Sequence, residues 1–304
     1  MKIAAIIVNW NRAALTQDCV ASLMGSKPGP DLVVLIDNGS RVDPEPLVRA
    51  VCPAAVIRHN PRNLGFAAAV NQGIAIAREA GAEAVFLLNN DAVVVADTLS
   101  QLAACLEQDE NIAAAGAKVL TQDRPPRIHT AYGVLTFHGW LTQQRGWLEP
   151  DTSRFNEARD VDYVSGCAML IRCRAFEQVG VFDEEYFAYH EDLDWCTRAR
   201  RCGLRVRYEP AAVVHHQMHA STGGIRYNSA VNYLSARNSV LFVRKHASVR
   251  QGLKFAAYVC GHLLREGLRC ARRGEIDGFR LRLRGFYDGV RRRPVPLGYL
   301  GLAV

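Results

Sequence analysis

The sequence predicts an α/β fold in which a mixed, mainly parallel sheet is flanked by helices and followed by a helical, basic C-terminal extension. Three observations predict it. Over the first 120 residues, short apolar runs alternate with helical patterns. Such alternation with short connections implies a parallel sheet with right-handed crossovers. Three of those runs end in polar clusters, Asn9-Trp10-Asn11, Asp37-Asn38-Gly39-Ser40 and Asn89-Asn90-Asp91. From Asn232 onward the chain reads as helix and gathers positive charge.

Taken in order, residues 3–8 read as a buried strand. Residues 13–24 read as a helix, with Leu15, Cys19 and Leu23 spaced by four and Gly25 as its stop. Residues 32–36 form a second buried strand, and 56–58 a short third one. Residues 66–80 are Ala-rich and helical, stopped by Gly81; 84–88 read as strand and 98–106 as helix. Beyond about residue 120 the pattern loosens. Asp123-Arg124-Pro125-Pro126 breaks the chain, and residues 128–148, rich in Gly and aromatics, read as a hairpin or mobile loop. Residues 161–171 read as a strand containing Gly166. A helix starts near Glu191 and ends at Gly203, with Leu193, Cys196 and Ala199 on its buried face. Residues 204–208 and 212–214 read as short strands.

The bulk properties bound the function. A chain of 304 residues, 49% hydrophobic and 22% charged, can bury a full globular core. Its nine cysteines are odd in number and include no Cys-x-x-Cys pair. That pattern predicts reduced thiols in a cytoplasmic protein rather than a disulfide framework or a zinc site. The N-terminus reads as a first strand, not a signal peptide, and no stretch reaches the roughly 18 apolar residues that span a bilayer. The net charge of +7 is uneven: residues 244–293 hold 14 Arg and Lys against 4 Asp and Glu. Such a block points to anionic lipid, nucleic acid or an acidic substrate.

Ligands of open α/β sheets bind outside the carboxyl ends of the strands. If the strands are parallel neighbours, Asn9, Asn11, Asp37, Asn38, Asn90 and Asp91 line one such edge. A nucleotide fits there. Asp37 can accept hydrogen bonds from a base or ribose, or serve only as a turn residue. A carboxylate such as Asp91, flanked by amides, suits a hard divalent cation shared with a phosphate, although Asn-Asn-Asp is also ordinary turn chemistry. Arg62 and Asn63 open the Ala-rich helix and could contact base or phosphate, with Asn63 as a helix cap the alternative. No Gly-x-Gly-x-x-Gly follows the first strand and no Walker-A sequence occurs, which argues against a dinucleotide oxidoreductase and a P-loop enzyme.

Glu191-Asp192-Leu193-Asp194-Trp195 packs three carboxylates into four positions. A helix N-terminus stabilises them. Phe182-Asp183, Phe187 and Tyr189 crowd the same segment, so a partly desolvated carboxylate there would suit a general base. His215-His216, at a strand end, with His219 and Ser221-Thr222 after it, could supply a metal ligand or be a polar loop.

With these pieces the chain resembles the family 2 inverting glycosyltransferases of the GT-A fold, in the branch that includes bacterial rhamnosyltransferases. The resemblance rests on Ile6-Ile7-Val8-Asn9-Trp10-Asn11, Val34-Leu35-Ile36-Asp37-Asn38-Gly39-Ser40, Asn63-Leu64-Gly65-Phe66 with Asn71 and Gly73, and Leu88-Asn89-Asn90-Asp91. It continues through Gly180-Val181-Phe182-Asp183, Tyr189-His190-Glu191-Asp192-Leu193-Asp194-Trp195 with Arg198, His216 with Ser221, and Tyr233 with Arg237-Asn238. These motifs fall in the family's order over roughly residues 1–240. The resemblance implies that Asp37 contacts the nucleoside, that Asn90-Asp91 is the metal site with Asp91 its ligand, and that His216 is the late metal or diphosphate contact. Asp192 matches the catalytic base, with Glu191 as the second choice. The doublet His215-His216 leaves the histidine open by one residue.

The resemblance implies a GT-A domain over residues 1–240, with a nucleotide-sugar-binding half at 1–120 and an acceptor and catalytic half at 121–240. The basic extension covers 241–304. The expected cofactor is Mg²⁺ or Mn²⁺. The expected donor is dTDP-rhamnose, with UDP- and GDP-sugars open, and the acceptor is a glycan or lipid-linked hydroxyl. Trp195, Asp194, Tyr189 and the aromatic-rich segment 132–147 would shape the acceptor site. The extension would rest on an anionic membrane on the cytoplasmic side, in preference to nucleic acid. The rival readings are a silent nucleotide-sugar- or glycan-binding module and a sugar nucleotidyltransferase.

Overall fold

The computed structural model describes residues 1–137, 141–217, 230–273 and 276–303. The expected His219 and Ser221-Thr222 positions lie outside the described residues. The chain begins β1 (Ile3–Asn9), α1 (Ala13–Met24), β2 (Leu32–Asp37), α2 (Glu45–Val51), β3 (Val56–His59), α3 (Phe66–Glu79), β4 (Ala84–Asn89), β5 (Ala92–Val94) and α4 (Thr98–Glu107). It continues with β6 (Ile112–Thr121), β7 (Ile128–Thr130), β8 (Tyr132–Leu135), β9 (Thr142–Arg145), β10 (Arg159–Asp160), β11 (Ala168–Arg172) and α5 (Ala175–Val179). The remainder is α6 (Glu191–Arg201), β12 (Arg205–His216), α7 (Ala230–His246), α8 (Val249–Arg273) and α9 (Ile276–Arg291).

The main sheet runs in the order β10-β12-β6-β11-β4-β1-β2-β3, with β5 beside β12 and β7 beside β6. β1 is parallel to β2 and β4, β2 to β3, and β12 to β6, whereas β11 is antiparallel to both of its neighbours. The mixed, mainly parallel sheet expected from the sequence is therefore present. β1 shows why its residues form an unbroken apolar run. Ala4 and Ile6 face one core layer, with Val70 and Ile74 of α3. Ile3, Ala5 and Ile7 face the other, with Cys19, Val20 and Leu23 of α1. A strand covered on both faces has no polar side to alternate.

α2, β5, β10 and α5 have no counterpart in the sequence reading, and three elements of the sheet differ from it in ways that bear on the cleft. β6 was not expected: its Ile112-Ala113-Ala114-Ala115-Gly116 start suits a helix as well as a strand. It becomes a strand because it pairs with β11 on one side and β12 on the other; Gly116 lies under Val164, where any side chain would collide. The expected strand at 161–171 shortens to β11, because Ser165-Gly166-Cys167 turns at the cleft. The two short strands expected at 204–208 and 212–214 are one bulged strand, β12, with register shifts between Arg205 and Val206 and between Glu209 and Val213. α7 crosses residue 240 without a break, so the C-terminal helices continue directly from the cleft wall.

Candidate active site

Parallel register carries the polar strand ends to one edge: Asn9 of β1 pairs with Asp37 of β2, and Val8 with Asn89 of β4. There they meet α6 and the β7–β9 region around a cleft of about 540 Å³. A cleft of this size suits a small ligand.

On the donor side the amides build a frame. Asn9 Nδ2 donates to Asp37 Oδ1 at 2.9 Å and to Ser40 Oγ at 2.9 Å. Asn9 Oδ1 accepts from Thr16 Oγ1 at 2.8 Å and from Asn90 Nδ2 at 3.3 Å. Asn38 Nδ2 donates to Asn63 Oδ1 at 2.9 Å, while Asn38 Oδ1 accepts the Leu64 N–H. Asn9 is fully buried and its polar atoms are used within the protein. That corrects its expected role as a ligand contact: it orients Asp37 and Asn90 instead. Asn38, Asn63, Asn90 and Asp91 do line the cleft. Asn11 is exposed and accepts the Arg41 N–H, so it stands at the rim. Gly39, at φ +75°, lets the Arg62 backbone close on the Asp37 turn; a Cβ would stand 2.5 Å from the Arg62 carbonyl carbon. The Arg62 side chain is exposed beside a second, open depression with Asn63 and Arg292.

At the end of β4, Asp91 Oδ1 lies 2.8 Å from His216 Nε2, which β12 delivers through its pairing with β5. Of the histidine doublet, His215 Nδ1 faces the Thr121 carbonyl at 3.4 Å, and His216 lines the cleft. His129 of β7 stacks on His216 at 4.8 Å between centroids, with the two Nδ1 atoms 3.0 Å apart. Burial works against a charged His216, but Cys167 and then Asp91 outweigh it and push its pKa up to about 10. A carboxylate and an imidazole at this spacing match the ligand chemistry of Mg²⁺ or Mn²⁺ sites completed by phosphate oxygens, with a bound cation displacing the proton from His216 Nε2. Among the described residues, the one group of three metal-competent side chains is elsewhere, at Asp43, Glu45 and His59. His59 sits 2.9 Å from Glu45, which also binds Arg49, so these groups satisfy one another at the outer rim.

The acidic segment divides by burial. Asp192 lines the cleft, with Oδ2 accepting the Gly166 N–H at 2.9 Å and Oδ1 the Leu193 N–H at 2.7 Å. Desolvation raises its pKa, and the two N–H donors oppose that rise. Glu191 is buried and its Oε2 has no hydrogen-bond partner among the described residues. Desolvation, then the Asp192 charge, raises its pKa. Backbone donors thus stabilise the charge on Asp192 and leave the proton on Glu191. Neighbouring His190 is lowered to about 4 by burial and stays neutral.

Asp194 and Trp195 do not reach the cleft. Both are 0% exposed. Asp194 is held by Arg198 at 2.7 Å, His246 at 2.8 Å and Lys245 at 2.9 Å. Trp195 packs on Phe176 and Phe182 and donates Nε1 to the Gly180 carbonyl. Their expected place in an acceptor site is corrected to the core, because α7 and the 176–182 segment cover both sides of α6. Arg198, which the motif carries with it, binds Asp194. Tyr189 does line the cleft, as do Thr142, Gln144 and Trp147 of the expected aromatic-rich segment.

Sequence reasoning missed three contributors. His129 carried no spacing signal. Gly166 was noted only as a glycine within a strand. Asn238 was matched without a role, yet its Nδ2 lies 2.9, 2.8 and 2.7 Å from the Tyr186, Ala188 and Tyr189 carbonyls. Those carbonyls belong to the loop before α6, where Phe187, Tyr189 and His190 have φ of 64°, 69° and 76°. Non-glycine residues held in that region concentrate at functional sites. The same loop presses on the donor side: at Gly65, φ +92°, a Cβ would stand 2.6 Å from the Phe187 ring.

The family described as "Glycosyltransferase like family 2" matches residues 2–235. The N-acetylglucosaminyl-diphospho-decaprenol L-rhamnosyltransferase of Mycobacterium tuberculosis is 29% identical over 297 residues, 89% of this chain and 95% of that protein. The dTDP-rhamnosyl transferase RfbF of Shigella flexneri is 24% identical over 205 residues, 61% of this chain and 62% of that protein. Among solved structures, the mannosyltransferase PcManGT of Pyrobaculum calidifontis, in complex with GDP-Man and Mn²⁺, superposes with a TM-score of 0.60 at 15% identity. That match covers 95% of this chain and 87% of the other. GalNAc-T7 with UDP, GalNAc and Mn²⁺ gives 0.63 at 16% identity, over 80% of this chain and 48% of that longer one. The match over residues 2–235 and the GT-A architecture together make this chain an enzyme of glycosyltransferase family 2.

Proposed function

We propose that the enzyme transfers rhamnose from dTDP-rhamnose to a hydroxyl of a lipid-linked glycan, with inversion at the anomeric carbon. The observation that carries the mechanism is a single one. Asp192, its charge supported by two backbone N–H groups, shares one cleft with the Asp91–His216 pair. The acceptor oxygen would attack the anomeric carbon as Asp192 takes its proton, and the bond to the diphosphate oxygen would break. Asp91 and His216 would hold a Mg²⁺ or Mn²⁺ ion, which supplies charge neutralisation to the leaving diphosphate. Asp37 would contact the nucleoside, with Asn38, Asn63 and Asn90 shaping its surroundings, while Arg62 and Asn11 stand at the rim. Tyr189 would help shape the acceptor side. The names of the M. tuberculosis and S. flexneri relatives support a rhamnosyl donor, and the first supports a diphospho-lipid acceptor. Such an acceptor would be met at a membrane surface.

The test is release of nucleoside diphosphate from a panel of dTDP-, UDP- and GDP-sugars with a polyprenyl-diphosphate sugar acceptor. Turnover should be highest with dTDP-rhamnose, and NMR of the product should show inverted anomeric configuration. Excess EDTA or Asp91→Ala should abolish it. Preference for a UDP- or GDP-sugar would overturn the donor, and undiminished activity in EDTA would overturn the metal role.

A further inference from the structure

We infer that α8 lies flat on an anionic lipid surface. The inference deepens the proposed acceptor reading and rests on it for its purpose, but not for its measurement. In α8, Val249, Leu253, Leu264 and Leu268 are 83%, 68%, 72% and 63% exposed. Ala256, Ala257, Cys260 and Ala271 are exposed beside them. At 3.6 residues per turn, these eight positions fall within an arc of about 120°. Phe255, Glu266 and Cys270 turn the other way, into the protein. Soluble helices put their apolar stripe inward; here a second stripe of large side chains faces out along nearly the whole helix.

Charge selects the occupant. Arg250, Lys254, Arg265, Arg269 and Arg272 are exposed, and all project to one flank of the stripe. The single acidic residue of α8, Glu266, is 5% exposed and bonded to Arg282 at 2.6 Å. Among its described residues, α8 itself therefore presents cations and no exposed carboxylate. A second copy docked face to face would set like charges together, whereas an anionic bilayer complements both the stripe and its flank. Among the described residues no helix is long and apolar enough to cross a membrane, so the expected geometry is interfacial.

The placement links surface and site. α7 contributes Ala230, Val231, Leu234 and Ser235 to the cleft wall and runs straight into the turn before α8. With 17 residues it is about 25 Å long. Gly289 of α9 fixes α7 in place, since a Cβ there would stand 2.6 Å from the Arg237 carbonyl oxygen. A lipid-held α8 would keep the cleft wall within one helix length of the bilayer.

The test uses the full chain and three proteins: wild type, a Leu253→Glu, Leu264→Glu double variant, and an Arg250→Glu, Lys254→Glu, Arg265→Glu triple variant. Each is checked by circular dichroism and for donor-dependent turnover on a short-chain, water-soluble acceptor, which none of these residues should alter. Cosedimentation is measured with phosphatidylcholine vesicles with and without phosphatidylglycerol. Wild type should bind the anionic vesicles at least tenfold more tightly than the neutral ones, and both variants should lose that preference. Equal binding to the two vesicle types, or unchanged binding by the variants, overturns the inference. So does a wild-type dimer in sedimentation velocity that the leucine variant dissociates, or binding to duplex DNA in place of vesicles. Vesicle binding without turnover would sink the proposed function and leave the docking surface standing.

Discussion

Replacing Asp192 by asparagine keeps the outline of the side chain and removes its basicity, and the structure sets the size of both effects. Asp192 accepts one N–H on each oxygen, from Gly166 and Leu193. Asparagine retains one oxygen, so one of these donors loses its acceptor, at about 1–3 kcal/mol. That is a fraction of the roughly 5–15 kcal/mol stability of a domain, and the variant should fold with a lowered Tm. Loss of a positioned general base costs on the order of 10² to 10⁴ in rate, or about 2.7–5.5 kcal/mol of barrier. Donor affinity should change little, because Asp91, His216 and the Asp37 turn are untouched. The assay is nucleoside diphosphate release at saturating acceptor, with donor binding followed by calorimetry. The pH profile adds a second readout. Desolvation raises the Asp192 pKa, so the wild-type rate should climb above the usual carboxylate range, a limb that Asp192→Asn should lack. Near-normal turnover in Asp192→Asn, with loss of turnover in Glu191→Gln, would refute the argument that backbone donors choose which carboxyl carries the charge.

Three further outcomes follow from buried groups. The Glu191 pKa is raised by desolvation and then by Asp192, so its stabilising contribution is full below its usual value near 4.5 and is lost as pH rises through the raised value. Urea midpoints of the wild type should therefore fall between about pH 5 and pH 8, and those of Glu191→Gln should fall less; parallel curves would clear Glu191 of this effect. Asp194 is desolvated, yet His246, Arg198 and Lys245 hold its pKa well below the usual range. Its stabilisation is present above that range and lost as pH falls. Asp194→Asn should cost about 3–5 kcal/mol by urea unfolding, and a changed acceptor KM at unchanged stability would return Asp194 to the acceptor site. Asn238→Ala removes the clamp on the loop before α6 and should lower kcat on the order of 10- to 100-fold with donor KM unchanged. A loss of stability with normal kcat would make Asn238 merely structural.

The sequence by itself determined the edge of the sheet where the chemistry gathers. Runs such as Ile3 to Val8 and Ala84 to Leu88 are apolar throughout because both faces of a central parallel strand are covered. Their ends must then bring Asn9, Asp37 and Asn89 side by side, as the β1 register does. α1 was legible to its last residue, since its spacing of four serves a single buried face. α6 was legible in its start and in the buried face of Leu193, Cys196 and Ala199, but not in its second covered side. Seven of its residues are buried, three of them polar, and apolar periodicity marks only one face of a helix that is covered on two. Only the tertiary structure separated Asp192, which meets the Gly166 N–H at the cleft, from Asp194, which meets Arg198, Lys245 and His246 in the core. Nor could spacing find His129, which reaches His216 across 87 residues of chain. Local pattern records which face of an element is buried; which charges find a partner there depends on segments far apart in sequence, and only packing brings them together.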